Sequence, residues 1–380
     1  MSHEFIIIGA GAYGCAVAYH LARRGRSVKV LEAATVAAGA SGGGGKRGVR
    51  GNRRDLRELH LMHEAYELWP NLADELGAPT GYVRTGGLSL IEEESVGMRG
   101  GLVAAEAIAY GQSCRGVPTE LWGAEAVREH LPQVTPSVKG ALYAPRDGVA
   151  GQEATTLAYA HAARQHGADI EESCTVTRIV DGASSRGAAV DTAESGRFIA
   201  THGVLIAANS MTPELLAENF DYRLPTWTVY PQAIWLRSEH QPQCPFLIGH
   251  DSRVLSMKLV QDHTIQLSGG WRGRYDEATG VGAPVEKNVA ASIAQLEATF
   301  PGLGALQRES IQASRPEAGS ADQIPIVDRV PKSQRIFFAT GWSGHGWALL
   351  PALSGYLADY VAAGKRPHEI AHLSARRFER

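Results

Sequence analysis

The sequence is short of the features that mark several common functional classes. It has four cysteines, Cys15, Cys114, Cys174 and Cys244, which are far apart and form no C-x-x-C pair. That argues against a disulfide framework or a thiolate metal site and fits a reducing compartment. No apolar run approaches the roughly 18 residues of a membrane-spanning helix, and the apolar stretch in MSHEFIIIGAG is too short for a secretory signal and runs straight into glycines. No excess of one charge is present either: 37 Lys and Arg against 40 Asp and Glu leave a net charge of -3, which argues against a dedicated nucleic-acid binder. The basic cluster Lys46, Arg47, Arg50, Arg53 and Arg54 is local. Internal repeats are missing, and GGGG at 42–45 is the single low-complexity tract. What is left is a soluble, cytoplasmic, globular protein of 380 residues, long enough for two or three domains with a large core.

Glycine is what the chain has in quantity, 43 residues in all. FIIIG at 5–9 reads as a buried strand, GAGAYG follows it, residues 15–24 read as a helix, and SVKVLEA predicts a second strand near 27–33. Gly9, Gly11 and Gly14 thus form G-x-G-x-x-G in a strand–turn–helix setting, with Glu32 ending the second strand. The first glycine permits the turn, the second lets a pyrophosphate reach the helix N-terminus, and the third permits close packing. Glu32 suits a ribose 2′-hydroxyl and repels a 2′-phosphate. This pattern predicts a dinucleotide site. Further helices are expected at 55–77, 95–110, 153–167, 284–299 and 346–363. The aromatic, β-branched region 218–275 predicts an antiparallel sheet outside the first unit.

Two glycine-rich stretches invite other readings. GASGG at 39–43 matches G-x-S-x-G, but Ser41 leads into GGGG and not into a helix, so it is not a nucleophile elbow. ATGWSGHGW at 339–347 places His345 and Trp347 after the apolar run RIFFA; a lone histidine without companion ligands is a poor metal site. A second glycine-rich strand–helix so far from the first, serving the same cofactor, favours FAD over NAD.

Taken in order, IIIGAGAYG…VLE, GASGGGGKRGVR, GALYAPRDG, VLIAANSMTPELL and RIFFATGWSGHGW resemble the D-amino-acid oxidase superfamily of FAD-dependent oxidoreductases, in its sarcosine oxidase and glycine oxidase branch. The resemblance covers nearly the whole chain. It implies an α/β fold of glutathione-reductase type: a Rossmann-like FAD-binding domain from residues 1–85, 140–215 and 313–380, and a mixed, antiparallel-sheet substrate domain from 86–139 and 216–312. It implies non-covalent FAD held by Gly9, Gly11, Tyr13, Gly14, Glu32, Ser41, Arg47, Val176, Gly341, Gly344, His345 and Gly346. The helix after Gly346 would aim its N-terminus at the flavin N1–C2=O edge, where charge builds up on reduction.

The activity implied is oxidation of the C–N bond of a secondary or primary amino acid or amine. Hydride passes to flavin N5, the imine is hydrolysed by water, and O2 (giving H2O2) or another acceptor takes the electrons. Site candidates are Arg50, His345, Arg315, Trp347 and Gln266. Relatives that bind flavin covalently use a cysteine where this chain has Arg315, and place a substrate-binding lysine where it has Ala348. The resemblance then implies one of two things: the carboxylate grip passes to Arg50 and Arg315, or the substrate is bulkier or lacks the usual carboxylate. Gln266, or alternatively the nearby Lys258, matches the lysine that promotes the O2 reaction in sarcosine oxidases. Tyr230, Trp235, Trp271 and Arg272 are further pocket candidates, with core packing or surface exposure as the competing reading. A 2-hydroxy-acid dehydrogenase and the catalytic subunit of a multimeric amine dehydrogenase are the alternatives, and neither an oligomer nor a partner subunit is excluded. No nucleic acid, membrane or metal is expected.

Overall fold

The computed structural model describes residues 2–97, 100–184 and 187–379. Strand β1 (Ser2–Ile8), helix α1 (Ala12–Ala22) and strand β2 (Val28–Leu31) form the predicted βαβ unit. β1 pairs in parallel with β2 on one side and with Gly196–Ile206 on the other, and Ile336–Thr340 continues the parallel order. Such strands need apolar residues on both faces. Ile6 and Ile8 pack into one layer with Phe338, while Phe5 and Ile7 pack into another with α1 and the helix Leu350–Ala363. In register, Ile8 stands opposite Ile206, and Ile206 opposite Phe338. Both glycine-rich stretches therefore leave the sheet at the same carboxyl-end edge, where open parallel sheets bind ligands.

A second sheet of eight strands is built mainly from antiparallel pairs, with Ala233–Ser238, Thr264–Ser268 and Ser256–Gln261 at its middle. Its core is separate, formed with the helix Glu286–Thr299. Strand Gly140–Ala144 pairs with Gly87–Ile91 in this second sheet. The boundary expected at residue 140 is thus moved: Gly140–Ala144, buried on both faces, belongs to the second sheet, and the chain crosses back only at Gly148–Gly151, which pairs with β3 (Lys46–Val49). The helix expected over 55–77 is interrupted by a 3-10 turn at Trp69–Asn71, because Pro70 has no N–H to give. That expected over 95–110 starts only at Leu102, after Gly101 with φ 85°; residues 98–99 lie outside the described ones. No described helix is long and apolar enough to cross a membrane. Among the described residues no cluster of three or more His, Cys, Asp or Glu could hold a metal.

Candidate active site

Three glycines shape one wall, each for a different reason. Gly9 turns the chain at φ 102°, and a Cβ there would stand 2.8 Å from the Ala207 carbonyl oxygen. A Cβ on Gly14 would collide with the Gly9 carbonyl, so this glycine lets α1 lie against β1. A Cβ on Gly11 would meet nothing within 4 Å: it would project into open space in front of the helix. α1 begins there with no side-chain cap and no acidic residue in its first turn, so its N–H groups and dipole are free for an anion.

The chain returns to this turn 333 residues later, where the Tyr13 hydroxyl donates to the Gly346 carbonyl at 2.7 Å. Tyr13 also stacks on Trp342 with ring centroids 3.9 Å apart. Between the two segments runs a cleft of about 480 Å³. Gly9, Gly11, Tyr13, Glu32, Ser41, Arg47, Val176, Gly344, Gly346 and Trp347 all line it. Glu32 accepts from the Ala10 and Ala34 amides at 2.7 and 2.9 Å, which fixes its carboxylate at the cleft wall. A larger hollow, about 600 Å³, lies beyond the opposite edge of the sheet around Asp328, Arg366 and Arg376, and holds neither glycine stretch.

The structure adds a carboxylate that sequence reading passed over. Glu317 is 6% exposed at the cleft wall, where it accepts from the Ser41 hydroxyl and the Gly344 amide. It ties the glycine-rich loop to the second glycine stretch. Arg47 donates to the Ser41 carbonyl at 2.8 Å and to the Gly43 carbonyl, which closes the same loop from the other side. The signal was present in SRPEAG, a stretch singled out for Arg315 alone.

Several expected residues lie elsewhere. Gly341 turns the chain at φ 69°, where a Cβ would meet Ser320 and Ile326, and is not among the residues lining the cleft. The cleft lining takes in Gly344 and Gly346 on either side of His345, whose own ring is buried in the field of Arg54, Arg50 and Arg272. Burial, reinforced by Arg54 and then Arg50, pushes its pKa down to about 3, so the ring is neutral at any ordinary pH. A His345→Gln variant is accordingly expected to keep the wild-type pH profile of anaerobic flavin reduction between about pH 5 and 9; loss of an ionisation in that range would contradict this placement. Ala348 is 1% exposed, with its carbonyl taken by Trp69 at 2.9 Å.

Of the five catalytic candidates, Trp347 alone lines the cleft; its Nε1 is buried without a partner, and its ring packs on Trp69. Trp235, Gln266 and Lys258 form a row across three neighbouring strands. Gln266 is fully buried; oriented to satisfy its neighbours, it donates to the Lys46 carbonyl at 2.9 Å and accepts from Arg47 at 3.2 Å. It thus braces β3. Lys258 is 3% exposed with one partner, the Ser268 hydroxyl at 2.9 Å. Burial first, then Arg47 and Arg50, lower its pKa to about 7. Arg50 leaves the end of β3 with a guanidinium nitrogen 3.1 Å from where a Cβ on Gly249 would stand, and burial lowers its pKa. The following turn is fixed by Asp147, which accepts from the Gly51 amide at 2.6 Å and from Tyr66. Arg315 is half-buried close to Arg47. Tyr230 is half-buried and Trp271 exposed, both outside the cleft.

The residues present fit a flavin dinucleotide. Open space at Gly11 before an uncapped helix suits a pyrophosphate, Glu32 suits a ribose, and the unpartnered Trp347 N–H and the start of the last helix suit a polar ring edge. The comparisons with known proteins agree. Residues 4–360 match the family model described as FAD dependent oxidoreductase. The beta subunit of sarcosine oxidase from Arthrobacter sp is 26% identical over 393 residues, covering all of this chain and 91% of that protein. A mouse protein, the mitochondrial regulatory subunit of pyruvate dehydrogenase phosphatase, is 29% identical over 179 residues, 47% of this chain but only 20% of that protein's length. L-proline dehydrogenase from P. horikoshii shares the fold, with a TM-score of 0.87 at 23% identity over 100% of this chain and 98% of that one.

Proposed function

The chain belongs to the FAD dependent oxidoreductase family, and from that premise we propose that it oxidises the C–N bond of an amino acid or amine carrying a carboxylate. The observation that carries this reading is the juxtaposition of the glycine-walled cleft with β3, whose end holds a partly buried Arg50 with no carboxylate within 4.0 Å among the described residues. Gly9, Gly11, Gly14 and Glu32 would hold the dinucleotide end, with Val176 beside the adenine. Ser41, Arg47 and the 344–346 backbone would hold the ring. With Arg315 in the place of a linking cysteine, the cofactor is held without a covalent bond. When bound, the flavin supplies an acceptor for the hydride leaving the carbon next to the amine nitrogen.

The chain's own part is to bind, orient and set charge. Arg50 takes the substrate carboxylate through a planar, two-pronged donor. Arg50 and Lys258 together disfavour a protonated amine nearby, so the substrate is held with its nitrogen lone pair free. Trp347 walls the site from water. Gln266 and Glu317 position Arg47, Ser41 and the 344–346 backbone. No side chain needs to remove a proton from an amine bound in this form. A hydroxy acid, by contrast, requires a base for its hydroxyl; His345 with a pKa near 3 is too weak for that task, and Lys258, lowered to about 7, is the group that would have to serve.

The test is anaerobic mixing of the yellow protein with N-methyl, D- and L-amino acids and simple amines. Bleaching of the flavin by a carboxylate-bearing amine is expected, and 2-hydroxy acids should leave it oxidised. Bleaching by hydroxy acids alone would overturn the reading. Admitting air and measuring H2O2 separates an oxidase from a dehydrogenase that uses another acceptor.

A further inference from the structure

Five cations near the end of β3 add up to more positive charge than one carboxylate needs. Arg47, Arg50, Lys258, Arg272 and Arg315 come from four segments and act on one another or on the buried His345, and none has a carboxylate within 4.0 Å among the described residues. Arginines elsewhere are commonly paired: Arg57 with Asp55 and Asp322, Arg253 with Glu92, Arg377 with Asp322. The two buried carboxylates nearest the cluster are already used. Asp147 serves the Gly51 amide and Tyr66, and Glu317 serves Ser41 and the Gly344 amide. A pyrophosphate on α1 would answer the helix dipole, and Arg47 is committed to the backbone of its own loop.

Two of the remaining cations, Arg272 and Arg315, come from neighbouring segments. The segment 269–273 follows the strand that carries Gln266, and the Gly273 amide donates to the Tyr230 carbonyl at 2.8 Å. A Cβ on Gly273 would stand 3.4 Å from the Cβ of Ala313, and the Gly282 amide donates to the Ser314 carbonyl at 3.1 Å. Arg272 and Arg315 are thus presented by adjoining backbones, the first exposed and near His345, the second half-buried and near Arg47. Arg50 lies deeper, at the end of β3.

Resting on the amine-oxidation reading above, we infer that the substrate is an acidic amino acid with two carboxylates, the α-carboxylate held by Arg50 and the second by Arg315 and Arg272. The unpaired guanidiniums are left for a ligand to neutralise, and a flexible dicarboxylate spans a buried and a more exposed position where a monocarboxylate fills one. Charge-assisted hydrogen bonds are stronger than neutral ones, so the preference is read as a ratio of rates between nearly isosteric substrates.

The experiment compares N-methylaspartate and N-methylglutamate, both enantiomers, with N-methylasparagine and N-methylglutamine, following anaerobic flavin bleaching by the holoenzyme. The acids are expected to reduce the flavin roughly 10- to 100-fold more efficiently than their amides. Arg272→Gln and Arg315→Gln should each narrow that ratio, and raised salt should narrow it as well, because Arg272 is exposed to screening. Titration calorimetry supplies a readout without turnover: glutarate should bind more tightly than its monoamide, and the Arg272→Gln protein should lose the difference. Equal rates for acid and amide, or a ratio untouched in both variants, would overturn the inference and leave amine oxidation standing. Failure of every amine to bleach the flavin would remove the reading itself and this inference with it.

Discussion

A Gly11→Val protein is expected to fold and to purify without colour. Gly11 has ordinary backbone angles, φ −74° and ψ −177°, that any residue adopts, and a Cβ there touches nothing within 4 Å. The apoprotein therefore has little reason to notice the change. The cleft does, because the new side chain fills the approach to the α1 N–H groups. FAD affinity should drop by at least about 100-fold, equivalent to about 2.7 kcal/mol, measured by fluorescence titration, while far-UV circular dichroism and the apoprotein melting temperature stay close to wild type. Gly14→Ala should behave in the opposite way, failing to fold, because its Cβ collides with the Gly9 carbonyl. A yellow Gly11→Val protein with normal FAD affinity would refute the assignment of this wall to the pyrophosphate.

Lys258→Met should slow reoxidation by O2 by about 10²–10³-fold, the scale on which removal of one preorganised charge-stabilising group is felt, with anaerobic reduction changed far less. O2 acquires negative charge as it is reduced, and Lys258 is a buried cation beside Arg47 and Arg50. The pH dependence follows from its pKa of about 7: wild-type reoxidation should decline as pH rises through that value and the cation is lost, while the variant shows no such decline. Stability carries the reverse sign. Between about 7 and the ordinary value of 10.5 the unfolded chain binds the proton that the folded chain has released, so wild-type stability rises with pH across that window. Removing the lysine should accordingly raise the melting temperature more at the acidic end of the window than at the alkaline end. Stopped-flow oxidation over a pH series and thermal melts check the two halves separately. A wild-type enzyme already inert to O2 but active with a dye acceptor would mark it as a dehydrogenase.

The glycine turn that walls the cleft was legible because its constraints are local. Gly9, Gly11 and Gly14 act within one turn, and Glu32 follows from the length of one βαβ unit. The substrate end depends on partners far apart in sequence. Glu317 means little until its carboxylate joins Ser41 to Gly344 across 276 and 27 residues. Gln266 and Lys258 were rival matches to one role; the strand register sets them opposite each other, so both are present, one bracing β3 and the other buried as a cation. Gly341 in ATGWSGHGW has a local reason of its own, since a glycine at that strand end is needed for the turn itself. The strand at 140–144 has no local feature that reports which of two sheets it joins. Pro70, in contrast, was visible in the sequence, and the length expected for the 55–77 helix ignored it.

The bond from Tyr13 to Gly346 also bears on how the protein is made. The first wall of the cleft leaves the ribosome early, but its counterpart is the end of the strand Ile336–Thr340 and the turn beyond it. At ordinary synthesis rates of about 5–20 residues per second, the nascent chain carries an intact G-x-G-x-x-G turn for many seconds with half a cleft. On the proposed placement of the flavin ring against residues 344–346, capture follows completion of nearly the entire polypeptide, and a chain interrupted before residue 336 is expected to display the dinucleotide fingerprint without retaining the cofactor.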